Sequence, residues 1–230
     1  MREFTDLRVR KPADPAEFER MILTAKEMDY RHLGVVFNGD RVTDENSLGM
    51  DVISRVELSP TSPGDLLSSL RRVRDRFEVV AVDCSSKAVA RQAAKDHRVD
   101  ILMFPGDLSE RKIVGLDEQE ATLAAGIGCS FEISAVELIR AGSARMAKLI
   151  TRLKKETTSA RRHDIPIIVS SGAASTIELR EPRALSAILD LLDVEEEAAL
   201  DMVSINPLNV VERNREKLKP GHTEPGVRRL

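Results

Sequence analysis

The fold class that the sequence predicts is a parallel α/β barrel of the TIM type, with about seven strands and surrounding helices. Three observations predict it. Short β-branched apolar runs such as HLGVVF, VVAVDC, ILMF and IIVS recur along the chain and alternate with stretches of helical period. The 230 residues suit one domain with a sizeable core. No G-x-G-x-x-G follows the first run and no P-loop occurs anywhere, which counts against an open doubly wound sheet.

The elements follow in order. Phe4 to Val9 alternates like a first strand, and Pro12 to Pro15 punctuates it. Ala16 to Met28 places Phe18, Met21, Ile22 and Ala25 at helical spacing. His32 to Phe37 is the second strand, closed by the turn Asn38-Gly39-Asp40, and Val52 to Leu58 is the third. Ser62-Pro63 opens the next helix with a capping hydroxyl and a proline at the first helical position. Val79 to Cys84, Ile101 to Phe104 and Cys129 to Ser134 read as strands four to six, with helices at Lys87 to Asp96 and in the acidic run DEQEATLAAGIG.

Ser143 is expected to cap a long helix reaching Arg162. Its buried stripe would be Met146, Leu149, Ile150 and Leu153, beside a basic strip of Arg145, Lys148, Arg152 and Lys155. Ile165 to Val169 is the seventh strand, and it delivers the small residues Ser170 to Ser175 to one end of the sheet. Helices are expected at Arg183 to Leu192, at Glu195 to Val203 and from Asn206-Pro207 to Leu218. Met202 to Ile205, the one candidate for an eighth strand, reads as the end of a helix. The domain is expected to span residues 1–218, with a disordered tail over 219–230.

Cys84 and Cys129 lie in or beside apolar runs without paired spacing, so they read as buried thiols of a reducing compartment. With no signal peptide and no membrane-length apolar run, the expected location is the cytoplasm. The net charge of −3 argues against a generally basic nucleic-acid binder, but the charge is uneven. Arg140 to Arg162 holds eight basic residues and one acid, Glu156. Asp193 to Asp201 reverses the sign.

The four histidines are scattered, with no H-x-H or H-E-x-x-H, so no metal site is expected. No serine sits in G-x-S-x-G, and no catalytic residue is assigned. Asp6, Asp83 and Glu132 fall at strand ends where barrels build sites, and a buried acid paired with an arginine is the expected fate. Arg111 and Lys112 after strand five, with Arg180 and Arg183 after strand seven, are candidates for phosphate contact, because guanidinium forks match phosphate oxygens. Arg145 and Lys148 join them as RNA-contact candidates, although a solvated helix face also explains them. With no tryptophan and Tyr30 the only tyrosine, base stacking is not the expected mode; backbone contact to structured RNA is.

FTDLRV, DILMFPG, RKIVGLDEQEATLAAGIGCSFEIS, the basic helix, IIVSSGAASTIELREPRAL and VSINPLNVVERNREKL together resemble the archaeal ribonuclease P protein component 3 family, relatives of the thirty-kilodalton eukaryotic subunit. The resemblance spans nearly the whole chain. It implies a barrel similar to the polymerase and histidinol phosphatase (PHP) metal-dependent phosphoesterases, which carry H-x-H after the first strand. Here that place reads Asp6-Leu7-Arg8-Val9-Arg10, so the metal chemistry looks lost.

The resemblance further implies a non-catalytic subunit of the enzyme that removes the 5′ leader of precursor tRNA. Ribonuclease P RNA, using Mg²⁺, would do the chemistry, and the protein would bind no cofactor. A second protein subunit is the implied partner, in a heterodimer or heterotetramer, with precursor tRNA met only indirectly and no membrane. By that analogy Arg180, Arg111 and Lys112 come first for RNA contact, while Asn206 and Pro207 cap the last helix. The competing expectation is a stand-alone PHP-like phosphatase that binds a phosphorylated metabolite at Ser170 to Ser175.

Overall fold

The computed structural model describes residues 2–37, 48–106, 114–218, 222–224 and 227–228. Seven strands form one sheet in chain order, every neighbouring pair parallel. They are β1 (Phe4–Arg10), β2 (Tyr30–Val36), β3 (Asp51–Leu58), β4 (Val79–Asp83), β5 (Ile101–Met103), β6 (Ser130–Ser134) and β7 (Ile167–Ser170). The first helices are α1 (Pro15–Glu27), α2 (Pro63–Val73), α3 (Lys87–Ala94) and α4 (Glu118–Ile127). Then come α5 (Ala135–Ile139), α6 (Ser143–Arg162), α7 (Pro182–Ala187), α8 (Glu196–Asp201) and α9 (Ile205–Leu218). Beyond α9 the described residues are two short strands, His222–Glu224 and Val227–Arg228, paired antiparallel.

Local chemistry sets the helix ends. Asp14 and Ser62 each accept a hydrogen bond from the first turn of a helix that begins with proline, and Asp117 caps α4 through two amides. Gly128 ends α4 in the left-handed region, at φ 68°. Expectation and structure differ in three places, all on the helices. The N-cap of α6 is Gly142, and Ser143 is already helical. On α6 the buried face runs through Leu149, Leu153, Glu156, Thr157 and Ala160, leaving Met146 and Ile150 half-buried. The helix expected at Arg183 to Leu192 tightens after Ala187 into a 3₁₀ turn (Ile188–Leu192) that stops at Asp193 in the left-handed region. No helix joins β2 to β3 among the described residues, and Asn38-Gly39-Asp40 lies outside them.

The sheet closes into a barrel across a seam between β1 and β7. Gly172 N donates to Arg8 O (3.0 Å) and Arg10 N to Ala173 O (2.8 Å) at the C-terminal end of the strands. Toward the other end, Val203 O accepts from Thr5 N and Met202 O from Val169 N, each at 3.0 Å. Residues 202–204 are thus the turn between α8 and α9. They are no strand, yet their carbonyls fill the gap an eighth strand would take.

Alternation along the strands sorts the core. Leu33, Val35, Val80, Val82, Leu102, Phe131 and Val169 pack outward against the helices. Leu7, Ile53, Val79, Ala81, Ile101, Met103 and Ile168 fill the barrel interior, joined from below by Val210 and Val211 of α9. Each of these buried side chains larger than alanine contributes roughly 1.5–3 kcal/mol relative to exposure. The helix α9 therefore plugs the floor. Asn206 Nδ2 donates to Ile167 O (2.8 Å), and Asn214 Nδ2 to Glu78 O (2.8 Å). Arg213 reaches Gly128 O (2.5 Å), while Arg215 binds Glu78 (2.7 Å) and both Asp51 oxygens (2.7 and 2.8 Å).

Candidate functional site at the barrel mouth

At the C-terminal end of the strands, where α/β barrels build sites, the interior is occupied by charge. Ile53, Arg55 and Glu57 share one face of β3 by the two-residue period, so Arg55 points into the barrel above Ile53. Its guanidinium meets Glu132 of β6 as a fork, Nη1 to Oε1 at 2.7 Å and Nη2 to Oε2 at 2.6 Å. Both side chains are almost completely buried, at 0% and 1% exposure. Nη2 also reaches Glu57 (3.0 Å) and Met103 Sδ (3.0 Å).

Arg8 completes the cluster from β1, donating to Glu57 at 2.6 and 3.2 Å and lying 4.0 Å from Glu132. Ser170 Oγ donates to Glu132 at 2.7 Å. Burial opposes the charge on Arg8, but Glu132 and Glu57 outweigh it and its pKa is raised. Burial likewise pushes Glu57 up, and the neighbouring Arg55 and Arg8 outweigh it, so its pKa is lowered.

A strand irregularity helps build this site. The β1–β2 register shifts between Asp6 and Val9, and the backbone of Leu7 comes so close to β2 that a Cβ on Gly34 would collide with it. Arg55 Nη1 takes the Leu7 carbonyl at 3.0 Å. Asp6 turns to the seam, where Oδ1 accepts from Arg8 N and Ser171 N, each at 3.1 Å. Oδ2 has no hydrogen-bond partner among the described residues. Burial raises the Asp6 pKa to about 6, against the pull of its Ser171 and Arg8 bonds.

The strand-end acids thus meet three fates. Glu132 is paired with an arginine, as expected of a buried acid; Asp6 holds backbone amides; Asp83 is half-buried at the end of β4. The described residues at the mouth do not fit a divalent cation, because guanidinium groups already occupy the oxygens of Glu57 and Glu132. Among the described residues no three His, Cys, Asp or Glu side chains are grouped as ligands. Sequence reading missed Arg55, whose signal was a lone arginine in the apolar strand VISRVEL.

Of the six RNA-contact candidates, the four among the described residues are not brought to one place. Arg111 and Lys112 lie outside the described residues. Arg145, exposed in the first turn of α6, donates to Gly106 O at 2.9 Å after β5, and Lys148 is exposed one turn on. Arg180 is folded onto its own loop, donating to Ile177 O (2.9 Å) and Leu179 O (2.7 Å). Its carbonyl accepts from Tyr30 Oη (2.8 Å), so this loop has run from the mouth to the start of β2. Arg183 is exposed on α7 beside a groove of about 400 Å³ lined also by Asp190 and Glu196.

The family model for RNase P subunit p30 matches residues 3–219. The ribonuclease P protein component 3 of Methanosarcina mazei is 28% identical over 98% of this chain and 95% of that one. That of Methanopyrus kandleri is 26% identical over 98% and 93%. Among solved structures, a chain of archaeal ribonuclease P with mature tRNA superposes with a TM-score of 0.83 at 20% identity, covering 97% of both chains. A zinc-bound histidinol phosphate phosphatase from Lactococcus lactis superposes at a TM-score of 0.51 and 9% identity, over 85% of this chain and 94% of that one, a likeness of fold alone. With a match over nearly its entire length, this chain belongs to the RNase P subunit p30 family.

Proposed function

We propose that this chain is a non-catalytic protein subunit of ribonuclease P, supporting a catalytic RNA as it removes the 5′ leader from precursor tRNA. The observation that carries the reading is the filled barrel mouth in a chain of this family. Where a phosphatase of similar fold needs open metal ligands and a reachable base, Arg55 and Arg8 neutralise Glu132 and Glu57. Among the described residues at the mouth, Asp6 has a raised pKa and is fully buried in the seam. Phosphodiester hydrolysis is then left to RNA-bound Mg²⁺, and the protein's part is to brace folded RNA with cationic side chains that replace counterions. A second protein subunit completes the particle in this reading. Two buried free thiols, Cys84 and Cys129, support a reducing, cytoplasmic setting. No helix among the described residues is long and apolar enough to cross a membrane.

Reconstitution tests this. Cleavage of precursor tRNA by the cognate RNA and remaining protein subunits is followed across Mg²⁺ concentration, with and without this chain. Its addition is expected to lower the Mg²⁺ requirement. Unchanged cleavage at every Mg²⁺ concentration, together with metal-stimulated phosphatase activity of the isolated chain, would overturn the proposal in favour of a PHP-like enzyme.

A further inference from the structure

The helix α6 divides its charges by sign. Its one acid, Glu156, is buried and paired with Arg152 at 2.9 Å. Arg145, Lys148, Lys155 and Arg162 are exposed along one side. Lys148, Lys155 and Arg162 are spaced seven residues apart, two helical turns or about 10.5 Å each, and the row from Arg145 to Arg162 spans about 26 Å. Among the described residues, Lys148 and Lys155 have no ion-pair partner, and Arg145 spends one donor on the Gly106 carbonyl. Arg162 lies 3.7 Å from Glu118, in a recess shared with Lys154 and Lys155. Lys154 itself is held by Asp193 at 2.6 Å.

This face suits a nucleic-acid backbone better than a protein. A protein interface wants an apolar or aromatic centre, and α6 contributes none of the exposed large apolar side chains found among the described residues. A straight row of exposed cations on a rigid helix, two of them without an ion-pair partner among the described residues, and without aromatic rings, matches the repeating charge of a phosphate backbone and has nothing with which to read bases. We propose that the outward face of α6 is a track for the RNA backbone, with Arg145, Lys148, Lys155 and Arg162 set against successive phosphates. The proposal rests on the ribonuclease P reading. It replaces the loop after β7 as the first place to look for RNA contact, since Arg180 there is committed to its own carbonyls.

The test is the salt dependence of binding. Affinity for the cognate ribonuclease P RNA is measured by fluorescence anisotropy over a salt series, with the particle's other protein subunits present. Lys148→Gln/Lys155→Gln is compared with Arg71→Gln/Lys95→Gln, which removes the same charge from exposed positions on and next to α2 and α3. Removing one cation from a phosphate lowers the slope of log K against log salt by about 0.9 on a duplex and about 0.7 on a single strand. The slope of the α6 variant is expected to fall by about 1.4 to 1.8, and the control to keep the wild-type value.

An unchanged slope for the α6 variant overturns the track, as does an equal fall in both variants, which would reflect net charge alone. Dissociation of a protein subunit from the α6 variant with the RNA slope intact overturns it in favour of a protein partner. A wild-type chain that stimulates cleavage while the α6 variant binds RNA normally rejects the track and leaves the ribonuclease P reading standing.

Discussion

At the floor of the barrel the arginines come from a separate helix, whereas at the mouth they come from the strands themselves. Arg213 and Arg215 of α9 reach across water-accessible edges to Gly128, Glu78 and Asp51, and Arg215 stays about one-third exposed. Arg55 is wholly inside, locked to Glu132 by a two-bond fork with Leu7 O and Glu57 as further acceptors. The floor is therefore an apolar plug, Val210 and Val211, fastened by polar bonds at its rim. The mouth has a polar centre with apolar layers beneath it. Charge at a rim is screened and replaceable; charge at a centre is tolerated only while every partner stays in place.

Three measurements by chemical denaturation probe that contrast. Glu132→Ala strips Arg55 of its forked partner and leaves Arg55 and Arg8 to share Glu57, and is expected to cost about 3–5 kcal/mol. Arg55→Met/Glu132→Leu should recover most of that stability, since an apolar pair removes both buried charges together. Equal destabilisation in the single and double variants would mean that packing, and not the ion pair, holds the mouth.

Asp6 gives the next effect. Its folded pKa of about 6 lies above the ordinary carboxylate value. The folded state therefore binds the proton more tightly than the unfolded chain. The penalty for ionising Asp6 is absent below about pH 4, grows between about pH 4 and 6, and is fully present above that, at roughly 3 kcal/mol. Asp6→Asn keeps an acceptor for Ser171 N and Arg8 N but never ionises. Its stability relative to wild type should rise by that amount from about pH 4 to about pH 7.5. A difference that stays flat with pH would show that the seam does not feel this charge.

At the floor, Arg215→Ala should cost only about 1–2 kcal/mol, because water can solvate the exposed part of Asp51 and Glu78 is left with fewer hydrogen bonds. A cost as large as that of Glu132→Ala would erase the distinction between the two ends.

Much of the fold was legible because strand and helix periods are written locally. Ser62-Pro63 and the apolar spacing of α1 each needed only a few neighbouring residues to read, and both stand in the structure. What escaped depended on partners distant in sequence. Arg55 and Glu132 are 77 residues apart and meet only because β3 and β6 face each other across the interior. The folding-back of Arg180 turns on the path of a single loop, which residue types do not specify. The inward turn of Glu156, by contrast, was within reach, since Leu149 and Leu153, seven and three residues before it, already marked the buried side of α6.

The plug follows all seven strands in chain order. During synthesis the barrel can therefore zip its strands together while its floor still stands open, with Ile53, Val79 and Ile101 lacking the valines that cover them and Asp51 and Glu78 lacking Arg215. Until α9 emerges and docks, the nascent chain presents an apolar cup ringed by acids, the kind of surface that recruits chaperones or aggregates. Completion of the molecule is thus gated by a single late docking event, and a lesion in α9 should show itself first as poor yield of soluble protein.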